Sequence, residues 1–196
     1  MPHTITLRDA TPADAPFIAH AVIAALHEGE MPAQPFATPV SQVLVQAIVQ
    51  EPILYSYRHT RMADVDGQPA GCFVTYDGAL FLPLRPLTYQ VLGQALGFTG
   101  PLPDADPTLQ QEPETRPGEF YLDSLAVLPQ HRQSGVGRLL VVDAICQGRN
   151  RGHHRFTGLV ATDSPHLLRF YQSEGLQPVG QQLLFGTPYH RLLLEL

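Results

Sequence analysis

The segment Leu125-Ala126-Val127-Leu128-Pro129-Gln130-His131-Arg132-Gln133-Ser134-Gly135-Val136-Gly137-Arg138-Leu139-Leu140 runs from a short apolar strand, through a tight turn with an Arg and two closely spaced glycines, into the apolar face of a helix. Such a turn leaves several backbone N–H groups without partners at the positive end of the helix, which suits an anion such as a pyrophosphate. The strand is expected over residues 119–128 and the helix from 134 to about 150. Val136, Leu140 and Ala144, flanked by Leu139 and Ile145, form its sheet-facing side.

On both sides of this unit the periodicity switches between strands and helices. Residues 4–8 alternate as an edge strand, and Thr11-Pro12-Ala13-Asp14 supplies an N-cap, a Pro at the first helical position and a capping-box acid for a helix to about Leu26. Residues 27–38 read as a loop. Thr38-Pro39 opens a second helix, with the stripe Val40, Val43, Leu44, Ala47 and Ile48, that ends before Pro52. Strands at 55–63 and 68–76 meet at the hairpin pair Asp66-Gly67. After the glycine turn come a strand at 155–161, a helix begun by Ser164-Pro165 and closed by Gly175, and two strands, 177–185 and 189–194, around Gly186-Thr187-Pro188. Seven prolines between residues 77 and 118 break the pattern. One short helix is expected there at about 87–96, and 104–117 reads as a loop without a core face, either a lid, an interface or a tolerated insertion. The fold class is mixed α/β, read as a single domain over 1–196 with an insertion at about 78–117.

The chain has 196 residues and a net charge of −6, long enough for a real core and poorly suited to nucleic acid as a partner. All twelve basic residues are Arg. The absence of Lys excludes a Walker P-loop and a Schiff-base lysine, since both need that amine, and it fits a GC-rich bacterial genome. Cys72 and Cys146 follow no metal or redox spacing, and His153-His154 has no metal-ligand spacing, so no metal is expected. With neither a secretory apolar region nor a run of membrane-spanning length, the expectation is a cytoplasmic protein with no membrane partner.

The residues alone leave the ligand of the glycine turn open. A Rossmann fingerprint wants a third small residue where Leu140 stands, a Walker loop is excluded, and a plain strand-to-helix turn binds nothing.

Arg132-x-x-Gly135-x-Gly137, after Leu125-Ala126-Val127 and Pro129, resembles the acetyl-CoA-binding motif of the GNAT superfamily of N-acetyltransferases. Phe170-Tyr171 followed by Glu174-Gly175-Leu176 resembles that family's second signature, an aromatic pair and then Gly-Phe. The resemblance covers residues 119–179, extends in element order over 4–76, and leaves out 77–118, where the family has a short turn. It implies a twisted, mostly antiparallel sheet of about seven strands with a splayed parallel pair and about four flanking helices. It further implies that the strand Leu125, Ala126 and Val127 lies along pantetheine, with the backbone of Leu125 and Val127 pairing to it. The N–H groups of Gln133, Ser134, Gly135, Val136, Gly137 and Arg138 would cradle the pyrophosphate, with charge from Arg132 and Arg138. Tyr171 is implied as general acid for the departing CoA thiolate, its phenol pKa of ~10 matching a thiolate of comparable basicity. Two departures stand out: Asp163-Ser164-Pro165 replaces a frequent Asn, leaving Ser164 at the cofactor position, and Leu176 replaces Phe.

Acetyl transfer to an amine needs a neutral amine, a polarised thioester carbonyl and a proton for the thiolate. Asp123 and, after it, Glu119 are the candidate bases, because strand alternation puts both on one face unless a bulge intervenes. His27, Glu28 and Glu30, with Tyr55, Tyr57, Arg58, Arg85 and Tyr89, are candidates for the acceptor groove. The resemblance thus implies an enzyme in which the amine of a small molecule or peptide attacks acetyl-CoA directly in a ternary complex, with a homodimer as a possible assembly. Two rivals are a CoA-binding sensor or regulatory module without transfer, and a dinucleotide or nucleotide enzyme using the same glycines.

Overall fold

A computed structural model describes residues 3–26, 30–50, 52–97 and 112–196. The strands are β1 (Ile5–Asp9), β2 (Thr60–Val65), β3 (Gln68–Asp77), β4 (Glu119–Val127), β5 (Arg155–Ala161), β6 (Gln177–Leu184) and β7 (Thr187–Glu195). The helices are α1 (Ala15–Ala25), α2 (Gln42–Gln50), α3 (Phe81–Ala95), α4 (Val136–Asn150) and α5 (Pro165–Ser173). The seven strands form one open sheet in the order β1-β2-β3-β4-β5-β7-β6. Every neighbouring pair is antiparallel except β4 and β5, which α4 joins as a crossover. His27 and Glu28, and most of the expected loop at 104–117, lie outside the described residues.

Alternating side chains divide the core between the two faces of this sheet. One face carries Met62, Cys72, Val74, Tyr76 and Tyr121 against Phe17, Ile18 and Val22 of α1, Leu44 and Ile48 of α2, and Phe81 and Leu92. The other carries Phe73, Phe120, Leu122 and Phe156 against Val136, Leu140, Val141 and Ala144 of α4, with Phe170 and Tyr171 of α5 at its margin.

Several boundaries differ from those expected. Helix α2 begins at Gln42, because Thr38 does not cap it: the Thr38 hydroxyl and N–H both return to Gln34 O, at 2.8 and 3.0 Å, and close a turn of their own. Strand β2 begins only at Thr60, since Ser56 caps a 3-10 turn at Tyr57–His59. The last hairpin turns at Phe185-Gly186, whose φ values of 49° and 80° suit a two-residue turn, rather than at 186–188. Helix α3 starts six residues earlier than the apolar pattern suggested, and Pro86 lies inside it. Pro83 stands in the first turn, where a missing N–H costs nothing.

The feature that positions the site lies in β4. Val74 pairs with Ser124 and the next residue, Thr75, pairs with Leu122, so Asp123 is an extra residue, a β-bulge. Alternation flips across it: Tyr121 and Ala126, five apart, share the α1 face, while Leu122 and Leu125, three apart, share the α4 face. Pairing with β5 also stops here, at Leu122 with Gly158. Beyond it β4 and β5 run on as strands without pairing to each other.

Candidate active site

The parting of β4 from β5 opens beside a cavity of about 610 Å³. Its wall includes Leu125, Ala126 and Val127 from β4, Arg132, Gln133 and Gly137 from the glycine turn, and Ser164, His166, Leu167 and Phe170 from the start and body of α5. Ala24, Ala25, Glu30 and Met31 complete the end near α1. The turn is built for exposed backbone. Gln133 has φ 61° and Gly135 φ 91°, which rotates successive N–H groups outward. The hydroxyl of Ser134 is tied to His131 O at 2.5 Å, and Arg132 Nε donates to Val127 O at 3.4 Å. Gly137, at the first turn of α4, borders the cavity, and a Cβ there would have only ordinary contacts, 3.7 Å to Phe170 Cζ and Val127 Cγ2.

Of the residues expected to hold a cofactor, Leu125, Ala126, Val127, Arg132, Gln133, Gly137 and Ser164 border the cavity. Val136 is fully buried beneath the turn, so only its backbone is offered to a ligand. The largely exposed Arg138 lies 3.3 Å from the Glu174 carboxylate, which ties α4 to α5. Tyr171 follows the cavity residue Phe170, with ring centroids 5.1 Å apart and edges crossed. Burial pushes its phenol well above the ordinary range, which keeps the hydroxyl protonated. His166 and Leu167 were not singled out in the sequence; their place one turn before Phe170-Tyr171 was the available signal.

The two candidate bases part company. Glu119 is gripped at both oxygens by Arg191 Nη2, 2.7 and 2.6 Å, and also accepts from the Arg116 N–H, Thr115 Oγ1 and Thr157 Oγ1. Burial alone raises such a carboxyl, but the Arg191 hydrogen bond and charge prevail and hold it below the usual range. Asp123, re-aimed by the bulge, accepts from Tyr76 Oη at 2.5 Å and from Ser124 Oγ at 2.9 Å. Burial pushes its carboxyl up, and the two hydroxyls offset only part of that. Both acids lie on the side of Tyr76 and Tyr121, and what separates them is their partners: Asp123 is the inserted residue and among the described residues meets only hydroxyl donors, whereas Glu119 is taken by Arg191.

A third acid appears that the sequence did not indicate. Glu114, in the part of the insertion read as having no core face, is buried, with its two carboxylate oxygens accepting from Tyr89 Oη at 2.8 Å and Tyr121 Oη at 2.9 Å. Its carboxyl is raised by burial and then by the charge of Asp123. Tyr55 is buried in the same group, and its phenol is pushed up by burial and by both acids. By contrast Tyr57 stacks with Arg58, 4.8 Å from guanidinium carbon to ring centre, and Arg85 lies 5.6 Å from the Phe81 ring centre. Among the described residues no group of three or more His, Cys, Asp or Glu side chains could hold a metal ion, and no helix is long and apolar enough to cross a membrane.

An open sheet parted at its parallel pair, with an anion-ready turn at the mouth of the gap and a half-buried acid at its head, marks a domain of the acyltransferase class. The chain belongs to the acetyltransferase (GNAT) family, whose profile matches residues 37–176. Among solved structures, one described as an acetyltransferase is 25% identical with a TM-score of 0.72, over 97% of this chain and 98% of its own. The N-acetyltransferase from Staphylococcus aureus Mu50 is 19% identical with a TM-score of 0.72, over 96% of this chain and 100% of its own. YncA from Salmonella typhimurium, solved with its cofactor acetyl-CoA, is 17% identical with a TM-score of 0.57, over 97% of this chain and 93% of its own. A comparison with curated proteins gives no match.

Proposed function

We propose that this protein is an N-acetyltransferase that moves an acetyl group from acetyl-CoA to the amine of a small molecule or peptide, by direct attack in a ternary complex. The observation that carries this reading is the loss of β4–β5 pairing after Leu122 beside a cavity that reaches the glycine turn. Backbone groups of Leu125 and Val127 on the β5 side are free of β5, so an extended pantetheine arm can pair there as an added strand would. The N–H groups from Gln133 to Arg138 then meet the pyrophosphate, with the Arg132 guanidinium beside it. Glu30, at the far end of the cavity, favours a cationic acceptor over an anionic one.

In this reading Asp123 accepts the proton that makes the acceptor nitrogen neutral. The nitrogen attacks the thioester carbonyl, the new C–N bond forms, and the C–S bond breaks. Tyr171 donates its proton to the departing sulfur and regains one from the amide nitrogen. Glu119 has no part in this chemistry, because Arg191 holds both of its oxygens and Thr115, the Arg116 N–H and Thr157 all donate to Oε2.

Isothermal titration with acetyl-CoA and with CoA, followed by a thiol-release assay over a panel of amines, tests the reading. Binding with turnover on at least one amine supports it. Binding without turnover on any amine would favour the sensor, and a melting temperature raised by NAD or ATP but not by acetyl-CoA would overturn the cofactor assignment.

A further inference from the structure

The insertion after β3 returns to the sheet through residues 112–118, and this return is seated on the sheet at several points. A Cβ on Gly78 would lie 2.1 Å from Arg116 O and 2.6 Å from Thr115 Oγ1, so the segment packs on bare backbone. Arg191 Nη1 donates to Glu114 O at 2.8 Å, and Glu119 Oε2 accepts from Thr115 Oγ1 at 3.1 Å and from the Arg116 N–H at 3.0 Å. The Glu114 side chain accepts from two tyrosine hydroxyls, and the charge of Arg85 acts on it as well. An acid buried in this way opposes folding unless something else compensates, since a carboxylate loses its hydration there.

Glu114 and Asp123 bracket one pair of rings. Tyr121 donates to Glu114, Tyr76 donates to Asp123, and the two rings stand 5.6 Å apart. We propose that Glu114 is a positioning residue for Asp123: its negative charge, held across the Tyr76–Tyr121 pair by the insertion, makes Asp123 a stronger base. The inference rests on the reading of Asp123 as the base of acetyl transfer. Two like charges in a poorly solvated interior disfavour each other's ionisation, so an ionised Glu114 increases the proton affinity of Asp123.

The other groups facing the pair do not cancel this effect. Tyr55, Tyr76, Tyr89 and Tyr121 are phenols pushed up by burial, and they stay neutral donors. Tyr189 of β7 is shifted the same way, and burial lowers His59, against the Tyr76 ring, so that it is neutral. Burial and the Asp123 charge push the Glu114 carboxyl up to about 7, the Tyr89 and Tyr121 hydroxyls and Arg85 of α3 offset part of this, and the ionised form the proposal uses prevails above that pH. Arg191 is neutralised by Glu119.

The test is a carboxyl ¹³C NMR titration of the full chain, with Asp123→Asn and Glu114→Gln assigning the two resonances. Glu114→Gln removes the like charge, so the Asp123 midpoint is expected to fall by about half a pH unit or more. An unchanged midpoint in a folded Glu114→Gln protein overturns the proposal. Should that variant not fold, the wild-type Asp123 resonance decides the matter: a second inflection at the Glu114 midpoint supports coupling, and a single-step curve overturns it. The result stands apart from the role of Asp123 itself. If Asp123→Asn retains full acetyl transfer, the reading of that residue as the base fails whatever the titration shows.

Discussion

Arg191 Nη2 stands 2.7 and 2.6 Å from the two carboxylate oxygens of Glu119, joining β7 to β4 across the intervening β5. Both side chains are almost entirely out of solvent. This pair fixes the floor on which the insertion returns, and its removal is a stability experiment rather than a catalytic one.

Glu119→Gln strands a buried guanidinium, and the expected cost is about 3 kcal/mol at neutral pH, read as a lower urea midpoint. The folded carboxyl lies below its unfolded value, so its contribution is complete above the ordinary carboxylate range and is lost as pH falls through the depressed folded value. The gap between wild type and variant should therefore close in acid. A gap that stays constant from neutral pH to about pH 2, below the carboxylate range, would sink the assignment.

Asp123→Asn should lower kcat/KM by about 10²- to 10⁴-fold while leaving acetyl-CoA affinity unchanged, as measured by calorimetry and steady-state kinetics on any accepted amine. Stability should move the opposite way. A carboxyl whose folded value is raised binds its proton more tightly in the native state, so wild-type stability declines as pH climbs from the unfolded value through the folded one. Above that window the Asn variant should melt at a higher temperature than wild type.

For Tyr171→Phe the expected loss is about 10²-fold in turnover, with cofactor affinity intact. Because burial keeps the phenol protonated, wild-type turnover should show no alkaline decline from this residue through pH ~10, the ordinary phenol value. Equal losses in affinity and turnover would reassign Tyr171 to packing beside Phe170.

Gly135 and Gly137 should separate backbone strain from ligand contact. Gly135→Ala forces an L residue into the left-handed region and should cost about 1–2 kcal/mol of stability, although open space surrounds its Cβ. Gly137→Ala should fold normally, whereas Gly137→Glu places an anion beside the turn and should weaken acetyl-CoA binding by about 100-fold or more. Titration calorimetry on the two Gly137 variants is sufficient; similar affinity in both would remove the pyrophosphate from this turn.

Much of the architecture was legible because local signals agreed with the final packing. The Leu125–Leu140 segment, the Asp66-Gly67 hairpin and Gly175 after α5 each carry their own turn or cap chemistry, and the structure uses them as read. Thr38-Pro39 misled because the same hydroxyl that caps a helix can close a turn backwards onto Gln34. Glu114 was illegible for a different reason: its burial depends on Tyr89, Tyr121 and Arg191, which are 25, 7 and 77 residues away in the chain. No window of sequence around Glu114 holds that information. The bulge lies between these cases, since the strand was legible and the extra residue in it, which only pairing with β3 reveals, was not.

One residue too many in β4 adds a side chain without displacing any other. It sets an acid where the two strands separate, and it leaves the faces of its neighbours as they would be in a regular strand one residue shorter, because Tyr121 and Leu122 pair with Tyr76 and Thr75, and Ser124, Leu125 and Ala126 with Val74, Phe73 and Cys72. Substitution at a regular position cannot do this, since it would exchange a wall side chain for the acid. A single-codon insertion can, so loss of the same codon should remove the acid and leave Leu125 and Ala126 on the faces they now occupy.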